Sequence, residues 1–166
     1  MQVPTDEDPA ALVERLVSDA LPGGRGRRAW LAFLRAHASL MRDLATDLVG
    51  KTGLPLGDFD VLAQLASAGG ELRMTDLAAR AYSSRSGMTR RVARLVDEGL
   101  VRRAGAEADA RGVVVTLTDV GVSRLTETVP VHLRRVSELF VERLDDDELA
   151  VLERALEKVT VDCTFG

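Results

Sequence analysis

The sequence predicts a mainly α-helical protein with one small β-hairpin, and three observations predict it. Apolar residues recur at three- and four-residue intervals through most of the 166 residues, the period of amphipathic helices. Two β-branched segments, "LVRRA" and "RGVVVTLT", flank "GAEADA" and read as a hairpin. Ahead of that hairpin, the short helical stretch "DLAARA" and a tight break at Tyr82–Ser83 lead into "SSRSGMTRRVARLVDEGLV". Two helices joined by a short turn, the second presenting its N-terminal half, form a helix-turn-helix.

Each element follows in chain order. Residues 1–29 hold an acidic start and a short amphipathic helix with Leu12, Val13, Leu16, Val17, Ala20 and Leu21. The breaker-rich "PGGRGRR" then reads as a linker. From Trp30 to about Val49 the apolar stripe is wide enough to face two packing partners. "GKTGLPLG" ends that helix, and a second helix covers about Gly57–Ala68 with Phe59, Leu62 and Leu65 as its core row. "ELRM" has room only for an edge strand. Thr75 is placed to cap "DLAARA", and Ser84 to cap the arginine-rich helix. After the hairpin, Thr118 caps a long helix from Asp119 to about Leu144, interrupted at Pro130. Asp145, with Glu148 three residues on, forms a capping box for a last helix ending near Val159.

Composition narrows the class of protein. A hydrophobic content of 46% can fill a real core, and a charged fraction of 29% argues against wholesale disorder. The single cysteine, Cys163, rules out an internal disulfide and a cysteine-based zinc cluster. No apolar run approaches the roughly 20 residues a membrane span needs. The N-terminus "MQVPTDEDPA" is acidic where a secretory signal would be basic and then apolar. The expectation is a cytoplasmic, soluble protein with no membrane partner.

The net charge of −4 hides an uneven distribution. Between Arg80 and Arg103, seven arginines face only Asp97 and Glu98, a local balance of +5, so the rest of the chain carries −9. A basic island on an acidic body steers a polyanion to one face.

On a wheel of 100° per residue, Met88, Val92 and Leu95 gather on one side of the arginine-rich helix and face the core. Opposite lie Ser86, Arg90, Ala93 and Asp97, with Gly87 and Arg94 alongside. This outward surface is small, hydroxylated and cationic, and suits a DNA major groove, where arginine can grip guanine O6 and N7. Gly87 costs the helix about 1 kcal/mol relative to alanine, which a close approach of backbone to DNA or to a neighbouring helix would justify. The hairpin adds Arg111 two residues after Asp109. An arginine there can enter a minor groove, its guanidinium steadied by the carboxylate.

These residues carry a resemblance. "LAARAYSSRSGMTRRVARLVDEGLVRR" (77–103) and "DARGVVVTLTDVG" (109–121) resemble the short helix, recognition helix, wing and following helix start of the multiple-antibiotic-resistance regulator (MarR) family. "GDFDVLAQL" (57–65) fits the helix before them, and the likeness runs from about residue 30 to 160. The resemblance implies a winged helix-turn-helix over 56–118 and a helical dimerisation lobe from 30–50 and 119–166, with 1–29 as an extension. It also implies a homodimer on a pseudo-palindromic operator in double-stranded DNA, most often a repressor, released by a small-molecule effector or by thiol oxidation. By position, Ser84, Arg85, Ser86, Thr89, Arg90 and Arg94 would meet the major groove, and Asp109 and Arg111 the minor groove. Thr75, Arg80, Arg91, Arg102 and Arg103 would meet phosphates. Three features depart from the family: residues 1–29 lie outside its pattern, the wing tip is acidic and small, and Arg91 stands where an apolar residue is usual. The wheel puts Arg91 at the edge of the core, as a phosphate contact or a salt-bridge partner.

Other patterns carry less. "GKT" at Gly50–Thr52 lacks the earlier glycine of a phosphate-binding loop, since Ala45 stands there. His37 and His132 have no third ligand in view, so neither a metal nor a cofactor is expected. Trp30, His37, Arg42 and Asp60 are candidates to line a pocket for a small aromatic or phenolic effector. Cys163, beside Asp162, is expected to be inert. No nucleophile and base stand at catalytic spacing, so an enzyme is not expected. Two alternatives remain at this point: a winged-helix module for a protein partner, and a small-ligand carrier.

Overall fold

The computed structural model describes residues 8–20, 24–81, 85–105 and 112–160. They form two compact units, residues 1–43 and 44–166, divided within one long helix. In the first unit, α1 (Pro9–Ala20) is followed by α2 (Arg25–Thr52), whose residues up to Asp43 belong here. The helix begins earlier than the breaker-rich "PGGRGRR" suggests, because Gly24 has left-handed backbone and "RGRR" directly after it already winds into the first turn. Glu14 of α1 accepts hydrogen bonds from both terminal nitrogens of Arg27, tying the two helices together.

The second unit holds the core. The end of α2 contributes Leu48, and Leu54 follows after the turn at Gly53. α3 (Leu56–Ser67) buries Phe59, Val61, Leu62 and Leu65, the row expected from the sequence with Val61 added. α4 (Met74–Arg80) adds Leu77, and α5 (Arg85–Asp97) adds Met88, Val92 and Leu95. Burying each such side chain stabilises the fold by about 1.5–3 kcal/mol.

A three-stranded antiparallel sheet closes one side, in the order β1 (Glu71–Arg73), β3 (Val114–Leu117), β2 (Val101–Ala104). Val115, on the central strand and opposite Leu72 and Arg103, is fully buried in the core. The "ELRM" segment is an edge strand, as its length predicts. Thr75, however, does not cap α4. The Met74 N–H still bonds to the Val113 carbonyl at 2.8 Å, so the chain enters the helix directly from its last sheet bond. Arg73 takes the N-cap position, and the Thr75 hydroxyl bonds to Asp76.

α6 (Asp119–Leu139) is capped by Thr118, whose hydroxyl oxygen accepts from the Gly121 N–H at 3.0 Å. Pro130 does not interrupt it. A proline removes one link of the backbone ladder, and the packing of α6 along α3, with Leu125, Val129 and Val131 against the core, carries the helix past it. The helix stops at Leu139 rather than Leu144, and Val141–Arg143 form a 3-10 turn. The expected capping box is present. The Asp145 N–H donates to Glu148 at 3.0 Å, and the Glu148 N–H to Asp145 at 2.8 Å. α7 (Asp146–Thr160) follows with no buried residue, and Val151, Leu156 and Val159 are exposed along it. No described helix is long and apolar enough to cross a membrane.

Candidate nucleic-acid interface

The interface is organised by the two sides of α5. Its inner row, Met88, Val92 and Leu95, is entirely buried, which turns the opposite side of the helix outward. Ser86, Arg90, Ala93 and Asp97 are all exposed, as the wheel predicts, and Thr89 is exposed with them. Gly99, at φ +72°, ends the helix: its N–H bonds to the Val96 carbonyl and the Leu100 N–H to the Leu95 carbonyl, both at 2.9 Å. This closure needs a left-handed residue and turns the chain straight into β2. Arg102 and Arg103 are exposed on that edge strand, and Arg80 is exposed at the end of α4. Arg80, Arg90, Arg102 and Arg103 have no hydrogen bond or ion pair among the described residues. They are cations available to phosphate or base.

The other arginines of α5 differ. Arg94, expected in the major groove, instead grips Asp58 at the start of α3. Its Nε lies 2.9 Å from one carboxylate oxygen, and its Nη2 lies 2.6 Å from each. Asp58 is 0% exposed, while the Arg94 side chain keeps 51% of its surface. The hydrogen bonds and charge of Asp58 raise the Arg94 pKa above its already high ordinary value. Arg91 approaches the same carboxylate, with Nη1 3.5 Å from Oδ1. Its guanidinium covers Gly57 so closely that a Cβ there would fall 1.7 Å from Nη1. Of the two roles open to Arg91, the geometry supplies the salt bridge.

Asp58 is therefore a residue that sequence reasoning missed. An acid in the first turn of a helix reads as a solvated partner of the helix dipole. The one available signal was Arg91 itself, a charge at a core-edge position with no acid nearby in sequence.

Arg85 opens α5. Ser84, Asp109, Arg111 and Cys163 lie outside the described residues, so the wing tip and the thiol have no structural account. Of the effector candidates, Trp30, His37 and Arg42 lie on α2 in the first unit. There Trp30 and His37 stack on either side of Phe33, with ring centroids 5.9 and 6.2 Å apart. Asp60 lies on α3 in the second unit and accepts a long hydrogen bond from Gln64. His132 of α6 packs on Phe59, 4.6 Å between centroids, and burial lowers its pKa. Among the described residues no three His, Cys, Asp or Glu side chains gather as a metal site.

The chain has clear relatives. The MarR family model matches residues 52–112. AbsC, a MarR family transcriptional regulator from Streptomyces coelicolor, is 30% identical over 81% of this chain and 90% of its own, with a TM-score of 0.73. Sco3205, another MarR family regulator from that organism and solved in complex with DNA, is also 30% identical. That match covers 84% of this chain and 92% of Sco3205, with a TM-score of 0.76. An uncharacterised HTH-type transcriptional regulator of Bacillus cereus is 26% identical over 134 residues, 81% of this chain and 88% of the relative. The winged helix-turn-helix, the outward cationic side of α5 and these likenesses agree: the chain belongs to the MarR family, and is a DNA-binding transcriptional regulator rather than an enzyme.

Proposed function

We propose that the protein is a cytoplasmic, homodimeric repressor that reads a pseudo-palindromic operator through α5 and leaves it when a small aromatic or phenolic effector binds. The observation that carries this reading is the division of α5. Ser86, Thr89 and Arg90 are exposed on one side, and Met88, Val92 and Leu95 are buried on the other. Arg90 reads base edges, with Ser84, Arg85, Ser86 and Thr89 around it in the major groove. Arg80, Arg102 and Arg103 hold the phosphates that set the register. Asp109 and Arg111 form the wing contact. Thr75, exposed at the start of α4, adds a further phosphate contact, whereas Arg91 is engaged by Asp58.

Dimerisation is supported by the apolar side chains that α6 and α7 leave exposed, among them Val122, Leu133, Val151 and Val159. Residues 30–50 and 119–166 form the dimer lobe and 56–118 the winged region. In a two-fold dimer the two α5 helices enter successive major grooves, about one helical turn of DNA apart. The stacked Trp30, Phe33 and His37 offer π faces to an aromatic effector, and Arg42 on the same helix supplies a polar contact.

The test is a selection from random duplexes, followed by fluorescence-anisotropy titration of the enriched sequence and a scrambled control. Enrichment of a palindrome, with Arg90→Ala weakening its binding by about 1–3 kcal/mol, supports the reading. Equal affinity for both duplexes overturns it in favour of a protein partner for the arginines. A ligand that binds tightly without moving the DNA titration leaves a carrier in place of an effector-controlled repressor.

A further inference from the structure

We infer that Asp58 is a positioning residue for DNA recognition: a buried carboxylate that fixes the roll and tilt of α5 through Arg94 and Arg91, and withholds both arginines from the DNA phosphates. The inference rests on α5 being the recognition helix.

The contacts that hold α5 differ in what they can specify. Met88, Val92 and Leu95 hold α5 against the core through apolar packing, which is strong but weakly directional. The Asp58–Arg94 pair is directional, because a planar guanidinium meets a planar carboxylate in a fork with fixed geometry. Arg91 supplies a second attachment three residues earlier, roughly 4.5 Å along the helix axis. Two attachments to one fixed group constrain roll about the axis and tilt of the axis. Asp58 is itself a firm reference point. Its N–H bonds to the Pro55 carbonyl at 2.9 Å, and its helix is anchored by Phe59, Val61, Leu62 and Leu65.

Burial gives the arrangement its force. A carboxylate with no exposure is strongly destabilising without a cationic partner, so Asp58 holds at least one arginine whatever DNA offers. Gly57 completes the site, since any side chain there would occupy the volume of the Arg91 guanidinium. The same contacts govern charge. Arg91 and Arg94 share one negative partner, while Arg90 has none among the described residues. Attraction to any DNA sequence is thereby moderated, and base readout carries a larger share of the affinity.

This makes Asp58→Asn act in opposite directions on two duplexes. The amide preserves shape and removes the charge. Released, Arg94 and Arg91 can swing to phosphates, so affinity for a scrambled duplex rises several-fold at low salt. The slope of log K against log salt steepens by about 0.9 for each arginine that becomes a phosphate contact. Affinity for the selected operator falls, because α5 loses its set orientation, and discrimination drops about tenfold or more. A merely structural defect would weaken both duplexes and would not steepen the slope. Gly57→Ala is the second variant. It evicts Arg91 and leaves the Arg94 fork intact, so the same two changes should appear at smaller amplitude.

Wild type, D58N and G57A are titrated on both duplexes at several salt concentrations, with thermal melts to establish folding. A folded D58N with unchanged discrimination and slope overturns the inference. Should D58N fail to fold, a folded G57A that matches wild type in both readouts overturns it equally. Failure of the wild type itself to discriminate refutes the recognition role of α5, a result distinct from either.

Discussion

Replacing Gly121 with alanine tests whether the start of α6 is locked by backbone contact to the turn that joins α5 to β2. Gly121 lies in the first turn of α6, and a Cβ there would sit 2.1 Å from the Leu100 carbonyl oxygen and 2.8 Å from a Leu117 methyl. The carbonyl cannot step aside, because it accepts the Thr118 N–H at 3.1 Å and the Thr118 hydroxyl at 3.0 Å. Relieving the contact requires a shift of about 1 Å, and overpacking of this kind costs about 1–3 kcal/mol. Losing or stretching the two hydrogen bonds adds about 0.5–1.5 kcal/mol each. The better helix propensity of alanine returns about 1 kcal/mol. The net expectation is a loss of about 1–5 kcal/mol, read as a lowered urea midpoint at fixed protein concentration. Gly50→Ala is the control, since no atom lies within 4 Å of its Cβ position near the end of α2. That variant should be neutral or slightly stabilised. A G121A midpoint equal to that of wild type would refute the steric reasoning.

Further outcomes follow from other contacts. Leu62→Ala empties a fully buried position and should cost about 2–5 kcal/mol by the same urea assay. Burial holds the His132 pKa below 6.5, so unfolding takes up a proton as pH falls below that value. Stability is then full above about pH 6.5 and declines as pH drops toward the lowered folded value. Thermal melts between pH 8 and pH 5 should show a smaller decline for His132→Phe, and equal declines would exclude this histidine as the cause. Val151→Asp places a charge on the exposed apolar side of α7. If that side is the dimer contact, light scattering should report a shift toward monomer with helical circular dichroism retained.

What could be read from the sequence was mostly local. The caps at Thr118 and Asp145 depend on residues three apart, and the inner row of α5 depends on a single period, so both are visible in a short window. Thr75 misled because a cap rule looks only at its own helix, whereas the last bond of the sheet fixed where α4 begins. Pro130 misled similarly, since a local breaker was overruled by packing against α3. Asp58 was the harder case. Its partners lie 33 and 36 residues away, and nothing in either segment announces the other. The exposed side of α5 was legible because apolar residues define it by elimination. Which arginines remain free on it was not, because that depends on a distant acid.

The division of labour on α5 also bears on how this regulator could be retargeted. Ser86, Thr89 and Arg90 lie on the exposed side of α5, away from the Asp58 site, so altered-specificity libraries can be directed at them. Transplanting the helix whole is a different matter. In a relative without the glycine and acid at the start of α3, Arg91 would meet a side chain and Arg94 would find no acceptor. The portable unit is α5 together with Gly57 and Asp58, two segments far apart in the chain that would have to be exchanged as one.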